Sequence, residues 1–158
     1  MAVKVNVKDT DLKALIDFFV QKSGHSFNDV LDFSLDSPTL EEGIVTFELR
    51  DKLIGNPIFR TLHGGVISSI LDLTGGHTVH LQVFKEIRDK PFDKQIERIS
   101  KIGTIDLRID YLRPGRGKNF TAKGYILRMG KKVAVTRTEL RNEESVLIAV
   151  GTGTYTVG

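Results

Sequence analysis

The stretch HGGVISSILDLTGGHTVHLQVF, residues 63–84, is the longest apolar stretch of the chain and decides the fold. It is too long for one strand and apolar on nearly every side, so it predicts a buried helix from about Gly65 to Phe84. Gly75 and Gly76 interrupt the pattern, and two adjacent glycines either kink a helix or let another backbone approach closely. Because apolar side chains point in most directions, such a helix needs more than one covering layer.

The segments on either side of this helix predict an antiparallel sheet as its cover. Before the helix, apolar and polar residues alternate around residues 31–35 and 45–49, which is typical of strands with one buried face. After the helix comes a charged excursion from Lys85 to Lys101, with a short helix around Asp93–Ile99. Further strands are expected at about 104–112, 119–129, 132–142 and 146–157. The order of elements predicts an α+β fold in which a curved antiparallel sheet wraps around the long central helix.

Residues 1–24 predict a helical extension of one domain that spans residues 1–158. The extension contains a helix from about Thr10 to Lys22, with Asp9 as its cap and Gly24 as its end. One apolar face of this helix has the i, i+3, i+4, i+7 spacing, and its members are Leu12, Leu15, Ile16 and Phe19.

The composition excludes several classes of protein. The 23 basic and 20 acidic residues are mixed along the chain, and there is no tryptophan, unlike the basic and aromatic stripe of a nucleic-acid-binding domain. The absence of cysteine excludes disulfides, thiolate nucleophiles and zinc–thiolate sites. No apolar run reaches the length of a membrane span, and the N-terminus lacks the apolar region of a secretory signal. We therefore expect a cytoplasmic protein without a nucleic-acid partner.

Three motifs carry a resemblance to a known family. GNPIFRTLHGGVISSILD, residues 55–72, resembles the signature of hot-dog-fold thioesterases of the phenylacetyl-CoA thioesterase type: an asparagine, then His-Gly-Gly, then an acidic residue about nine positions after the histidine. GTIDLRIDYLRPGR, residues 103–116, and GTGTYTV, residues 151–157, are similar to later strands of that family. The match runs from about residue 28 to the C-terminus and is nearest to bacterial medium- and long-chain acyl-CoA thioesterases.

The resemblance implies a hot-dog fold and hydrolysis of an acyl-CoA to free acid and CoA without a cofactor. It implies that the backbone N–H of Gly64 or Gly65 polarises the thioester carbonyl, and we favour Gly64 because the family's donor directly follows the histidine. Backbone N–H groups at a helix start are well suited to a developing oxyanion. His63 is expected to orient the loop. Asp72 activates water or attacks the carbonyl directly; the alternative is a helix aspartate bonded to a neighbouring loop.

Two further residues have a possible role by resemblance and a structural alternative. Asn56 is a candidate to hold the water or the carbonyl, although it lies seven residues before His63 where relatives often have six. Its alternative is a turn residue beside Gly55 and Pro57. Thr104 aligns with a hydroxyl that holds the catalytic water in some relatives. Its alternative is a strand threonine that faces the core.

Basic residues late in the chain are candidates to bind the phosphates of coenzyme A, since Arg and Lys recognise phosphate oxygens. The candidates are Arg113, Arg116, Lys118, Lys131 and Lys132. For each of them the alternative is a solvated loop.

Helix geometry predicts that the active site is shared between two copies of the chain. Gly64 and Asp72 are eight residues apart, which is about 12 Å along a helix axis. An aspartate side chain does not cover that distance to reach the same carbonyl. We therefore expect a homodimer with two sites, as the resemblance also implies, and a tetramer formed as a dimer of dimers is the open alternative.

Other chemistry is less well supported by the sequence. His77 and His80 have a spacing that can hold a metal, but no acidic cluster accompanies them, so no metal is expected. Ser68 and Ser69 lack the G-x-S-x-G elbow of serine hydrolases. The alternatives to a thioesterase are a non-catalytic acyl-CoA binder and a hot-dog hydratase or dehydratase. Medium to long acyl chains are favoured, with aromatic acyl groups as the rival.

Overall fold

The computed structural model describes residues 4–5, 10–23, 26–37 and 39–157. Four helices and nine strands occur within these residues, and a short 3₁₀ turn at Asp51–Leu53 precedes β4. The helices are α1 (Thr10–Ser23), α2 (Phe27–Leu31), α3 (Gly64–Ile87) and α4 (Phe92–Ile99). The strands are β1 (Lys4–Val5), β2 (Phe33–Leu35), β3 (Gly43–Glu48), β4 (Ile54–Asn56), β5 (Thr61–Leu62), β6 (Thr104–Tyr111), β7 (Asn119–Met129), β8 (Val133–Asn142) and β9 (Leu147–Thr156).

Seven strands form one sheet in the order β1-β2-β3-β7-β8-β9-β6, and β4 and β5 form a separate small hairpin. All pairs in the large sheet are antiparallel except β1 with β2. The long helix α3 packs against β3, β7, β8 and β9 in the middle of this sheet. The predicted α+β class, with a long helix on an antiparallel sheet, is therefore confirmed.

Small residues let α3 approach the sheet closely. A Cβ added to Gly75 would collide with the hydroxyl of Tyr155, and one added to Gly124 would collide with the hydroxyl of Thr78. Gly75 therefore allows the sheet to approach the helix closely. Close approach was one of the two alternatives that the Gly75–Gly76 pair predicts, and a kink was the other. The helix continues through both glycines and ends at Ile87, three residues beyond the predicted end.

Two local predictions need correction. Leu31 belongs to α2 rather than to a strand, because Asp32 adopts a left-handed conformation (φ 48°) that ends the helix, and β2 begins at Phe33. Residues 53–62, whose Gly55, Asn56 and Pro57 predict a loop, instead contain the β4–β5 hairpin. The short helix in the charged excursion is confirmed, and it begins at Phe92, one residue earlier than predicted.

The N-terminal helix α1 packs on the rest of the fold through Leu12 and Leu15, which are almost fully buried. The predicted cap Asp9 and the predicted end Gly24 lie outside the described residues, as does the side chain of Phe19. Across the described ranges, no helix is long and apolar enough to span a membrane.

Candidate active site

Among the described residues, the start of α3 presents one backbone donor that has no acceptor. His63 is the N-cap residue, and its Nδ1 accepts a hydrogen bond of 2.9 Å from the N–H of Gly65. The carbonyl of His63 accepts from the N–H groups of Val66 and Ile67. Within the part of the chain that the structure describes, the N–H of Gly64 has no hydrogen-bond partner. His63 thus occupies the Gly65 donor and leaves the Gly64 donor at the positive end of the helix dipole.

The segment that precedes α3 contacts His63 at Leu53 and at Gly55. The carbonyl of Leu53 accepts a hydrogen bond of 2.8 Å from the N–H of His63. A Cβ added to Gly55 would lie 2.6 Å from the Cα of His63, so only glycine allows β4 to pack this closely on the cap residue. The sequence motif therefore includes a structural requirement at Gly55 in addition to the residues of His-Gly-Gly.

Asn56 has a turn role in this hairpin. Its side-chain Oδ1 accepts hydrogen bonds from the N–H groups of Ile58 (3.0 Å) and Phe59 (3.1 Å). This is the structural alternative for Asn56. The Nδ2 group of the same side chain makes no hydrogen bond to any described residue, so both of its hydrogens remain available to a ligand.

Tyr111, at the end of β6, contacts the start of α3. Its hydroxyl donates a hydrogen bond of 3.1 Å to the carbonyl of Gly64. Its ring lies 3.7 Å from the position that a Cβ on Gly64 would take. No sequence pattern pointed to Tyr111, although it lies within the stretch of residues 103–116 that carried the resemblance.

Asp72, in the third turn of α3, has one carboxylate oxygen held by two hydroxyls. Its Oδ1 accepts from Thr104 Oγ1 at 2.9 Å and from the Tyr155 hydroxyl at 3.2 Å, and that hydroxyl also lies 3.1 Å from the Asp72 carbonyl oxygen. Its Oδ2 has no hydrogen-bond partner among the described residues. Thr104 is exposed on β6 and bonds Asp72, so it does not face the core. The two hydroxyls fix the carboxylate and leave one oxygen available for chemistry.

Tyr155 is the second site residue to which no sequence pattern pointed. Burial, together with the negative charge of Asp72, raises the pKa of its phenol well above the ordinary value, so the hydroxyl stays protonated and donates. Tyr155 is one of several inward-facing residues in the alternating pattern of β9, and nothing in that pattern distinguishes it from a core residue.

Asp72 and Thr104 lie in the wall of a cavity of about 280 Å³. The rest of the wall is mostly apolar and is contributed by α1, α2, β2, one face of α3, the segment from the end of α4 to β6, and Tyr155 on β9. Ile99, the last residue of α4, is among the lining residues, so the charged excursion contributes to this cavity. A mostly apolar cavity with a few polar groups is typical of small-molecule sites.

His77 and His80 also line the cavity, and each ring already has a partner. His77 Nε2 lies 2.9 Å from Ser37 Oγ, and His80 Nδ1 lies 2.7 Å from the carbonyl oxygen of Gly76. Burial, and then the nearby His80, lowers the pKa of His77 to about 3. Burial also lowers the pKa of His80. Both imidazoles are therefore neutral near pH 7.

The basic candidates fall into two groups at opposite ends of the sheet. Arg113 donates to the carbonyl of Leu147, and the Arg116 guanidinium lies 5.6 Å from the centre of the Phe59 ring. The loop that carries Arg113, Arg116 and Lys118 accepts a hydrogen bond from Leu62, so it lies beside the start of α3. Lys131 and Lys132 precede β8 at the other end, where Val133 pairs with Thr156. One chain does not bring the five side chains together.

One chain therefore contains two separated halves of a site. The end of β6 at Tyr111 contacts Gly64, and the end at Thr104 contacts Asp72. Seven residue steps along a strand span about 23 Å. The candidate oxyanion donor and the candidate carboxylate thus lie at opposite ends of the same edge strand.

A comparison with protein families matches the thioesterase superfamily over residues 59–149, which is more than half of the chain. The chain belongs to the thioesterase superfamily. The resemblance drawn from residues 55–72 is confirmed at the level of the family, and so is the hot-dog fold.

Several proteins are similar to this thioesterase-superfamily chain in sequence or in structure. The medium/long-chain acyl-CoA thioesterase YigI of Escherichia coli K12 is 44% identical over 132 residues, which cover 84% of this chain and 85% of YigI. The crystal structure of a Shewanella oneidensis protein related to the thioesterase superfamily is 37% identical, with a TM-score of 0.84 and coverage of 94% and 97%. The thioesterase HI1161 of Haemophilus influenzae, at 20% identity and a TM-score of 0.67 over 86% of this chain and 85% of its own, shares the fold.

Proposed function

We propose that this protein is an acyl-CoA thioesterase that hydrolyses medium- to long-chain acyl-CoA to a free acid and CoA. The observation that carries the proposal is the Asp72 carboxylate, held by two hydroxyls in the wall of a largely apolar cavity. Membership in the thioesterase superfamily and the 44% identity to YigI support it. The absence of cysteine suits the reducing cytoplasm, and we propose that location.

Two routes to the products fit the free Oδ2 of Asp72. In the first, Oδ2 removes a proton from water, and the water oxygen forms a bond to the thioester carbonyl carbon. In the second, Oδ2 itself bonds to that carbon, and water then hydrolyses the resulting anhydride. In both, the carbonyl oxygen becomes an oxyanion that accepts from the N–H of Gly64. The C–S bond then breaks, which in the second route happens before water attacks the anhydride. CoA leaves with the electron pair as a thiolate and takes up the proton that the water gives up.

A dimer through β6 unites the two half-sites. β6 is the edge of the sheet, and an edge strand offers unpaired backbone groups to a second strand. Antiparallel pairing of two β6 strands about a twofold axis between Leu107 and Arg108 sets Thr104 opposite Tyr111 of the partner subunit. Thr104 is hydrogen-bonded to Asp72, and Tyr111 is hydrogen-bonded to Gly64. Each Asp72 therefore faces the N–H of Gly64 of the partner subunit. Exposed Ile105 and Tyr111 on β6 become covered in such a dimer.

The same pairing brings basic residues of both subunits close to one site. The Lys131–Lys132 turn lies at the Thr104 end of its own sheet, and the loop with Arg113 and Arg116 lies at the Tyr111 end. Antiparallel pairing therefore brings the lysine turn of one subunit to the arginine loop of the other. We assign the phosphates of CoA to this basic rim, with Lys118 at its margin.

Asn56 supplements the oxyanion donor in this proposal. Its Oδ1 is used in the turn at residues 58–59, which fixes the direction of the amide. The Nδ2 hydrogens then serve as a second donor to the thioester carbonyl or the attacking water. The turn role and the helper role of Asn56 are compatible, because they use different atoms.

The proposal is tested by thiol release from a panel of acyl-CoAs that runs from acetyl to palmitoyl and includes phenylacetyl-CoA. We expect turnover with medium and long chains and weak turnover with acetyl-CoA, which leaves most of the apolar cavity unfilled. Tight binding of acyl-CoA with no thiol release would identify a non-catalytic binder and overturn the proposal.

Replacing Tyr155 with phenylalanine is expected to lower kcat about tenfold and to change KM less than twofold. A hydrogen bond to a charged group contributes roughly 1.5–3 kcal/mol, and Thr104 retains part of the anchoring. Steady-state kinetics with one acyl-CoA measure both parameters. Tyr125→Phe, on the exposed part of β7, is the matched control and should behave as wild type. An unchanged kcat in Tyr155→Phe would remove Tyr155 from any positioning role.

A further inference from the structure

Three polar side chains that line the cavity, Asn28, His77 and His80, are not used by the proposed hydrolysis, and His77 is hydrogen-bonded to Ser37. The imidazole of His80 and the side-chain amide of Asn28 line a wall that is otherwise largely apolar. The Asn28 amide makes no hydrogen bond to the described part of the chain. Groups of this kind in an apolar pocket usually fix the orientation of a ligand and provide specificity.

The hydrogen bond of His80 determines what it offers to a ligand. Its Nδ1 lies 2.7 Å from the carbonyl oxygen of Gly76, and a carbonyl oxygen only accepts. Nδ1 therefore carries the proton. Because burial lowers the pKa of His80, the ring is neutral and Nε2 keeps a lone pair. Nε2 has no partner in the residues that the structure describes, so it is an acceptor available to the contents of the cavity.

The positions of Asp72 and His80 on α3 give the distance between the Asp72 carboxylate and this acceptor. Asp72, Gly76 and His80 follow the i, i+4, i+8 spacing and line the same cavity. Eight residues correspond to about 12 Å along the axis. With C–C bonds of about 1.5 Å, an extended alkyl chain advances roughly 1.25 Å per carbon, so about ten carbons cover the distance.

We infer that the cavity selects acyl chains with a hydroxyl group near the tenth carbon, and that Nε2 of His80 accepts the hydrogen bond of this hydroxyl. This inference rests on the proposed thioesterase function and names its substrate class. An all-carbon chain that reaches His80 leaves the buried acceptor unpaired, which costs free energy. A chain with a hydroxyl at that depth donates a hydrogen bond to this acceptor. Sites that hydrogen-bond a substrate hydroxyl reject analogues without one more strongly than apolar pockets reject an added methylene.

The test compares 10-hydroxydecanoyl-CoA with undecanoyl-CoA, which has a methyl group where the first has the hydroxyl. We expect wild-type kcat/KM to favour the hydroxylated substrate by roughly tenfold or more. His80→Leu should abolish or reverse that preference, and His80→Gln, which restores an acceptor, should keep part of it. A wild-type preference for undecanoyl-CoA, or a ratio that His80→Leu leaves unchanged, overturns the inference.

Octanoyl-CoA separates this inference from the proposed function. Its chain ends before His80, so wild type should hydrolyse it whether or not a hydroxyl preference exists. Thermal unfolding reports whether His80→Leu is folded. Turnover of octanoyl-CoA with no hydroxyl preference overturns only the inference. Failure of wild type to hydrolyse any of the three substrates overturns the proposed function and the inference with it.

Discussion

Asp72→Asn is expected to lower kcat by about a thousandfold, since positioned acid–base groups contribute roughly 10²–10⁴ to a rate. Asparagine has nearly the same shape, and its carbonyl oxygen still accepts from Thr104 and Tyr155. What is lost is the free, negatively charged Oδ2 that acts on water or on the thioester. KM should change little, because the apolar cavity still binds the acyl chain.

Thiol-release kinetics measure this effect, and thermal unfolding reports whether the variant is folded. Asp89→Asn is the matched control, because Asp89 is exposed after the end of α3 and does not line the cavity. It should retain wild-type kcat. A loss of less than about tenfold in Asp72→Asn would mean that another group performs the proton transfer or the attack.

Gly64→Pro is expected to lower kcat by about 10²–10³, the usual effect of removing one oxyanion donor. Gly64 is the first residue of α3, a position that proline favours because no backbone partner for its N–H is lost there. The residue before it, His63, has φ −64° and ψ 139°, which suits a residue that precedes proline. The substitution therefore removes the N–H while preserving the helix.

Gly64→Ala is the matched variant that keeps the N–H. A Cβ at this position lies 3.7 Å from the Tyr111 ring, an ordinary van der Waals contact, so alanine should retain kcat within about threefold. The ratio of the alanine to the proline variant isolates the hydrogen bond from the added bulk. Equal kcat values for the two would show that Gly64 is not the oxyanion donor.

The sequence predicts the elements of this fold better than the contacts between them. The apolar run at 63–84 predicts the central helix, and alternation predicts the later strands to within one residue. These two predictions succeed because helix and strand periods are local properties of the chain. The role that the resemblance implied for Thr104, holding the catalytic water, stays a prediction, although Thr104 hydrogen-bonds Asp72 in the structure.

Other features depend on register and packing, which are not local. Tyr155 reaches Asp72 because β9 pairs with β6 and lies under α3, and alternation alone does not say which inward residue meets the carboxylate. The apolar face of α1 predicts that the helix packs, but not that Leu12 and Leu15 line the cavity. β2 begins at Phe33, two residues later than predicted, because α2 ends at a left-handed Asp32, a conformation that a short alternating pattern does not indicate.

The shared site is tested most directly by mixing two inactive proteins. Asp72→Asn and Gly64→Pro are unfolded together in equal amounts, refolded, and assayed for thiol release. Random pairing makes about half of the dimers mixed, and each mixed dimer combines one intact Asp72 with one intact Gly64 across the interface, so about a quarter of wild-type activity should return. Activity that stays at the level of the separate variants, while the mixed dimers demonstrably form, would contradict a site built from two subunits.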